Sequence, residues 1–124
     1  MVFATEQITT TLMGMALDAA SMRQQIGAHN IANANTSASI GRVVFEERMT
    51  AIRSQLAAGV PLAPDSLRGL RAHVLWGSEA NKGVAGLDQE VARLTQNSVH
   101  YQALVRTLNG YMDLRSSAIN DGKR

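Results

Sequence analysis

The side chains best suited to chemistry are thinly spread along this 124-residue chain. It has three histidines, His29, His73 and His100, and no cysteine. No two of the histidines stand four apart, the spacing that sets two imidazoles over one metal ion on a helix. A cysteine-ligated zinc site and a disulfide framework are both excluded. Gly83-Val84-Ala85-Gly86 lacks the Lys-Ser or Lys-Thr that completes a phosphate-binding loop. Ser98 and His100 are two positions apart, which on a helix turns them to different faces. The expectation is a protein with no catalytic site, no cofactor and no metal. The densest polar constellation is Asn30-Ile31-Ala32-Asn33-Ala34-Asn35-Thr36. An asparagine amide both donates and accepts. Such a run can close a helix by bonding its last open carbonyls or a neighbouring backbone.

Two long helices must carry these groups. Ile8, Leu12, Met15, Ala19, Met22 and Ile26 follow one another at steps of four and three, a heptad seam on one face. Thr9 to Thr11 are weak helix formers, so the spacing predicts a helix from Thr10 or Thr11 to about Asn33. The seam then meets the polar residues His29 and Asn33. Toward the other end, Leu87, Val91, Leu94, Ser98, Tyr101, Val105, Leu108, Met112, Arg115 and Ile119 keep the same alternation. They predict a helix from about Asp88 to Asn120, with Asp88 and Glu90 in its first turn, where the helix dipole favours acids. Gly122, Lys123 and Arg124 supply a stop with matching positive charge. A rod of roughly 50 Å needs a long partner, and the N-terminal helix is the candidate within the chain. The polar interruptions at Ser98 and Arg115, with little other core material, suggest that part of this seam faces other subunits.

The middle is less regular. Phe45, Met49, Ile52 and Leu56 predict a shorter helix over about 44–58, stopped by Gly59 and Pro61. Pro64 and Asp65 open a turn. Leu70 to Trp76 alternate weakly, as a strand would, so about 68–86 reads as a loop or small hairpin bracketed by Gly77, Gly83 and Gly86. The expected fold is mainly α: long N- and C-terminal helices paired as a hairpin or coiled coil, around a shorter helix and a weakly β middle. Its parts are 1–36, 37–86 and 87–124. Five aromatic residues leave the core to Ala, Leu, Ile, Val and Met. Twelve basic against ten acidic residues, a formal net charge of +2, is too balanced for a nucleic-acid footprint. No run approaches the roughly 20 apolar residues of a membrane span. Residues 1–5 carry no Lys or Arg, so no Sec-type signal is expected.

The segment Gly27-Ala28-His29-Asn30-Ile31-Ala32-Asn33-Ala34-Asn35-Thr36 resembles the N-terminal signature of bacterial flagellar rod, hook and hook-associated proteins. Leu87-Asp88-Gln89-Glu90-Val91-Ala92, through Ser98-Val99-His100-Tyr101-Gln102 to Leu108, is similar to the C-terminal helix of that family's proximal-rod members. The likeness covers about the first 36 and last 38 residues. One departure stands out: the family usually continues with Thr-Pro-Gly and an aromatic, whereas this chain has Thr36-Ser37-Ala38-Ser39-Ile40-Gly41. The missing proline removes a fixed backbone angle after the helix.

The resemblance implies a structural subunit of the flagellar axis, exported unfolded by the type III apparatus without signal cleavage and assembled in the periplasmic rod. Its ends would order on assembly. Its partners would be copies of itself, other rod proteins and the junction of basal body and export gate, with no nucleic acid and no small-molecule substrate. Subunit packing would fall to Asn30, Ile31, Ala32, Asn33, Ala34 and Thr36. The helix seams would run through Ile8, Leu12, Met15, Met22, Ile26, Leu87, Val91, Leu94, Tyr101, Val105, Leu108, Met112 and Ile119. The rival expectation is a self-contained cytoplasmic helical adaptor or coiled-coil oligomerisation protein.

Overall fold

The computed structural model describes residues 2–36, 39–67, 69–77 and 84–123. Its elements are α1 (Val2–Ala32), β1 (Ile40–Val44), α2 (Glu46–Ala57), a 3-10 turn (Pro64–Leu67), β2 (His73–Gly77) and α3 (Val84–Asp121). The mainly α architecture with two long terminal helices is as expected. At 1.5 Å per residue the 38 residues of α3 extend about 57 Å.

The helices α1 and α3 run antiparallel along their length. Asn30 meets Glu90, Asn97 meets Ala20, and Glu6 faces Arg115 at 3.9 Å. Close approach needs small residues on α1. Ala20 is fully buried, and a Cβ on Gly27 would stand 2.7 Å from Leu94 Cδ1.

The N-terminal seam also packs against the middle segment. Ile8, Leu12, Met15 and Ala19 pack with Phe45, Met49 and Ile52, and with Leu62, Leu67, Leu70 and Ala72 beyond α2. One face of α1 therefore holds the middle segment and another holds α3. Phe45, Ile52, Leu67 and Leu70 are buried, each contributing about 1.5–3 kcal/mol.

Several boundaries differ from the sequence expectation. Helix α1 begins at Val2, ahead of the threonine run. Thr10 Oγ1 donates to the Glu6 carbonyl at 3.0 Å, so its hydroxyl is satisfied within the helix, and the packing of Ile8 and Leu12 outweighs weak propensity. Helix α3 begins four residues before Asp88, with no acid in its first turn. Gly86 lies inside it and does not bracket a loop, and Gly83 lies outside the described residues. At its far end the Gly122 amide donates to Ala118 at 3.1 Å. Arg124 is outside the described residues.

Val44 ends β1 and does not start α2. The end of α2 is as read: Gly59 has φ +69°, its amide donates to the Leu56 carbonyl, and Val60 donates to Gln55, both at 3.0 Å. This paired reverse bonding uses the last carbonyls of the helix.

The strand-like segment is not a local hairpin. β2 pairs antiparallel with β1, with Gly41 opposite Trp76 and Val43 opposite Val74. β1 carries no clear alternation of its own, and its strand state comes from this long-range pairing and from contact with α1. Gly41 sits where no side chain fits. A Cβ there would meet Ile26 at 2.8 Å, Val74 at 3.0 Å and Trp76 at 3.1 Å.

Candidate functional site

The asparagine-rich element divides between two jobs. Asn33 performs the expected closure of the helix. Its Nδ2 donates to the His29 carbonyl at 2.9 Å, while the Thr36 amide and hydroxyl both donate to the Asn33 carbonyl at 3.0 Å. This turn is closed by the Asn33 and Thr36 side chains together with the Thr36 amide. Ser37 and Ala38, which follow, lie outside the described residues. Ile31 is half-buried, Ala34 buried, and Ala32 and Thr36 exposed.

Asn30 reaches much further. Only 2% exposed, it accepts from the Gly41 amide and donates to the Gly41 carbonyl, both at 2.9 Å. One side-chain amide thus takes both backbone groups of a strand residue, as a neighbouring strand would. The same Nδ2 also donates to Glu90 Oε2 at 3.3 Å. Asn30 therefore joins α1, β1 and α3 at one point.

Glu90 is the buried charge of that junction, 6% exposed. Arg42 of β1 donates to its Oε1, and Arg93 of α3 donates to the same oxygen at 2.9 Å. Burial pushes the Glu90 carboxyl upward, but the hydrogen bonds from Arg42, Asn30 and Arg93, with the Arg42 charge, outweigh it. The group is held below its ordinary value. A second polar clip lies about two helical turns along α3. Buried Asn97 donates to the Ala20 carbonyl at 2.8 Å and to Gln24 Oε1 at 3.0 Å. Among the described residues no buried side-chain nitrogen or oxygen lacks a partner.

These groups border a cleft of about 420 Å³ between α1, β1 and α3. Arg23, Arg42 and Arg93 give it cations, His100 an imidazole, Glu90 its carboxylate, and Ile26, Val43 and Leu94 an apolar wall. Among the described residues no group of three His, Asp or Glu side chains is placed to hold a metal ion.

The C-terminal seam is offset from the face that α3 turns inward. The covered positions include Leu87, Glu90, Leu94 and Asn97, with Ser98 half-buried beside it, and farther along Leu104, Leu108 and Tyr111, at steps of three and four within each group. They share Leu87, Leu94 and Leu108 with the apolar seam, and Val105 beside them is half-buried. Val91, Tyr101, Met112 and Ile119 are exposed, Val91 by 47% and Ile119 by 50%. Leu114, 73% exposed, lies on a different face of the helix. On α1, Ile8, Leu12, Met15, Met22 and Ile26 are all half-buried.

Sequence reading placed Glu90 at a helix start and left Arg42, Arg93 and Asn97 without a role. The available signal was the heptad phase. Glu90 and Asn97 are seven apart and one residue before Val91 and Ser98, so a second, polar stripe was present beside the apolar one.

The fold and site together define a mainly α protein whose antiparallel terminal helices are fastened by buried amides and one ionic cluster. No protein-family model matches the chain, and no curated protein matches it either. No described helix is long and apolar enough to cross a membrane.

Proposed function

We propose that this chain is a structural subunit of the bacterial flagellar proximal rod, of the FlgB kind, working through helix-to-helix packing and without a catalytic site. The observation that carries the reading is the offset on α3. Val91, Tyr101, Met112 and Ile119 form a largely apolar surface on the terminal helix that the chain's own partner helix leaves uncovered. An exposed apolar strip of this kind is a surface for association. In the proposed assembly it meets the helices of neighbouring copies and of other rod subunits, and torque passes through those contacts. The likeness of Gly27–Thr36 to the axial-protein signature supports the same reading. Export by the type III apparatus and residence in the periplasmic rod belong to the proposal.

Removal of residues 87–124 tests it in cells. Loss of swimming, with the earlier basal-body stages still formed, is the expected result. Normal swimming overturns the proposal.

A second reading has its own support: the Asn30 junction is closed within one chain, as in a self-contained helical adaptor. A dilute monomer whose ends resist proteolysis favours that alternative.

A further inference from the structure

The ribbon of β1 and β2 has two outer edges, and the fold caps one of them. Asn30 accepts from the Gly41 amide and donates to the Gly41 carbonyl, so both backbone groups of Gly41 point away from β2. Gly41 and Trp76 are therefore a pair without mutual hydrogen bonds, and the next pair, Arg42 with Leu75, carries them. Val43 and Val74 are again of the open kind. The amides and carbonyls of Val74 and Trp76 accordingly point outward, along the edge of β2 that lies away from β1. Among the described residues no side chain does for them what Asn30 does for Gly41.

Edge strands are commonly blunted by charged side chains or by proline. The sequence of β2, His73-Val74-Leu75-Trp76-Gly77, has no Lys, Arg, Asp, Glu or Pro. Leu75 is 56% exposed and Trp76 54%. The strand is nonetheless held in place from within, because the His29 ring of α1 meets the Trp76 ring edge-on with centroids 5.1 Å apart. A lone two-stranded ribbon is marginal in water, and further strands stabilise it.

We propose that the outer edge of β2 pairs with β2 of a second copy of this chain, antiparallel and centred on Leu75. That register is self-complementary. Val74 lies opposite the partner's Trp76, so each outward amide meets an outward carbonyl. Leu75 lies opposite the partner's Leu75 in a pair without hydrogen bonds, where side chains approach most closely. Trp76 facing the partner's Val74 is an aromatic and β-branched combination that favours pairing. His73 falls opposite the partner's Gly77, so even a protonated imidazole does not face its own copy. A charged strand finds no counter-charge on β2, whereas β2 itself brings none. This edge is separate from the outer strip of α3, and the inference is independent of the rod reading.

Amide hydrogen exchange of the full chain, read by NMR across a range of protein concentrations beside sedimentation, tests it. The Leu75 amide, bonded to β1, is slow at every concentration. The Val74 and Trp76 amides are expected to exchange rapidly in dilute solution and to slow as the dimer forms. Leu75→Lys sets like charges opposite each other and leaves the bonds between β1 and β2 in place. It should weaken the dimer about tenfold, whereas Leu75→Val should retain it. Rapid exchange of Val74 and Trp76 at the highest concentration overturns the inference. Slow exchange at every concentration also overturns it, because the chain would then cover its own edge. An unchanged dimer in Leu75→Lys does the same. A dimer that forms without slowing these two amides assembles elsewhere, which overturns the strand pairing and leaves the rod reading standing.

Discussion

Asn30 makes three hydrogen bonds with one amide, and each ends on a different demand of the fold. Two satisfy the backbone of Gly41, and the third helps to hold the buried Glu90 carboxylate. Truncation to alanine leaves a strand amide and carbonyl without these partners in a place that water reaches poorly. Asn30→Ala should therefore cost about 2–4 kcal/mol, the sum of two unsatisfied backbone groups at roughly 1–2 kcal/mol each. Urea unfolding followed by the single tryptophan, Trp76, measures it, and a cost below about 1 kcal/mol contradicts the assigned role. Glu90 adds a pH dependence. Its folded carboxyl is held below the ordinary value of 4.5, since the hydrogen bonds and the Arg42 charge outweigh burial. The unfolded chain therefore takes up the proton first as pH falls. The stabilisation from this linkage is fully present above the ordinary value and is lost as pH drops through the folded one. The stability gap between the unmodified chain and Glu90→Gln should be constant from neutral pH down to that ordinary value and narrow below it. A gap that widens on acidification contradicts the ion cluster.

At the scale of elements, the seams made the two long helices legible because sixfold or longer repetition of a 3.5-residue period has few other readings. The end of α2 was equally readable, since Gly59 can take the positive φ that terminates a helix. The partners of each seam were not legible. Ile8, Leu12, Met15 and Ala19 display a heptad, and nothing local states whether a long helix or a folded-back middle segment covers it. β1 was hidden for a related reason. Its sequence Ile40-Gly41-Arg42-Val43-Val44 becomes a strand through pairing with residues 73–77 and through Asn30, all remote in the chain. Gly41 is the point where these contacts converge on all sides. Gly41→Ala should destabilise by about 1–3 kcal/mol, as overpacking does. Gly27→Ala should cost less, because the atom it meets is the free end of Leu94 and can swing aside. Thermal unfolding of the two variants tests that order, and a larger loss for Gly27→Ala contradicts the geometry of the ribbon.

For the whole molecule, the scarcity of aromatic residues has a structural counterpart. Buried side chains gather under α2 and at the Asn30 junction, while the outer strip of α3 stays apolar and uncovered. The proposed contact of this strip with other rod subunits is tested most directly by photo-crosslinking in living cells. A photoreactive residue placed at Met112 or Ile119 leaves the covered face of α3 untouched. Crosslinked products in the basal-body fraction, joining the chain to another copy of itself or to another rod subunit, are expected. A chain that remains monomeric in the cytoplasm, with no product at either position, contradicts that contact.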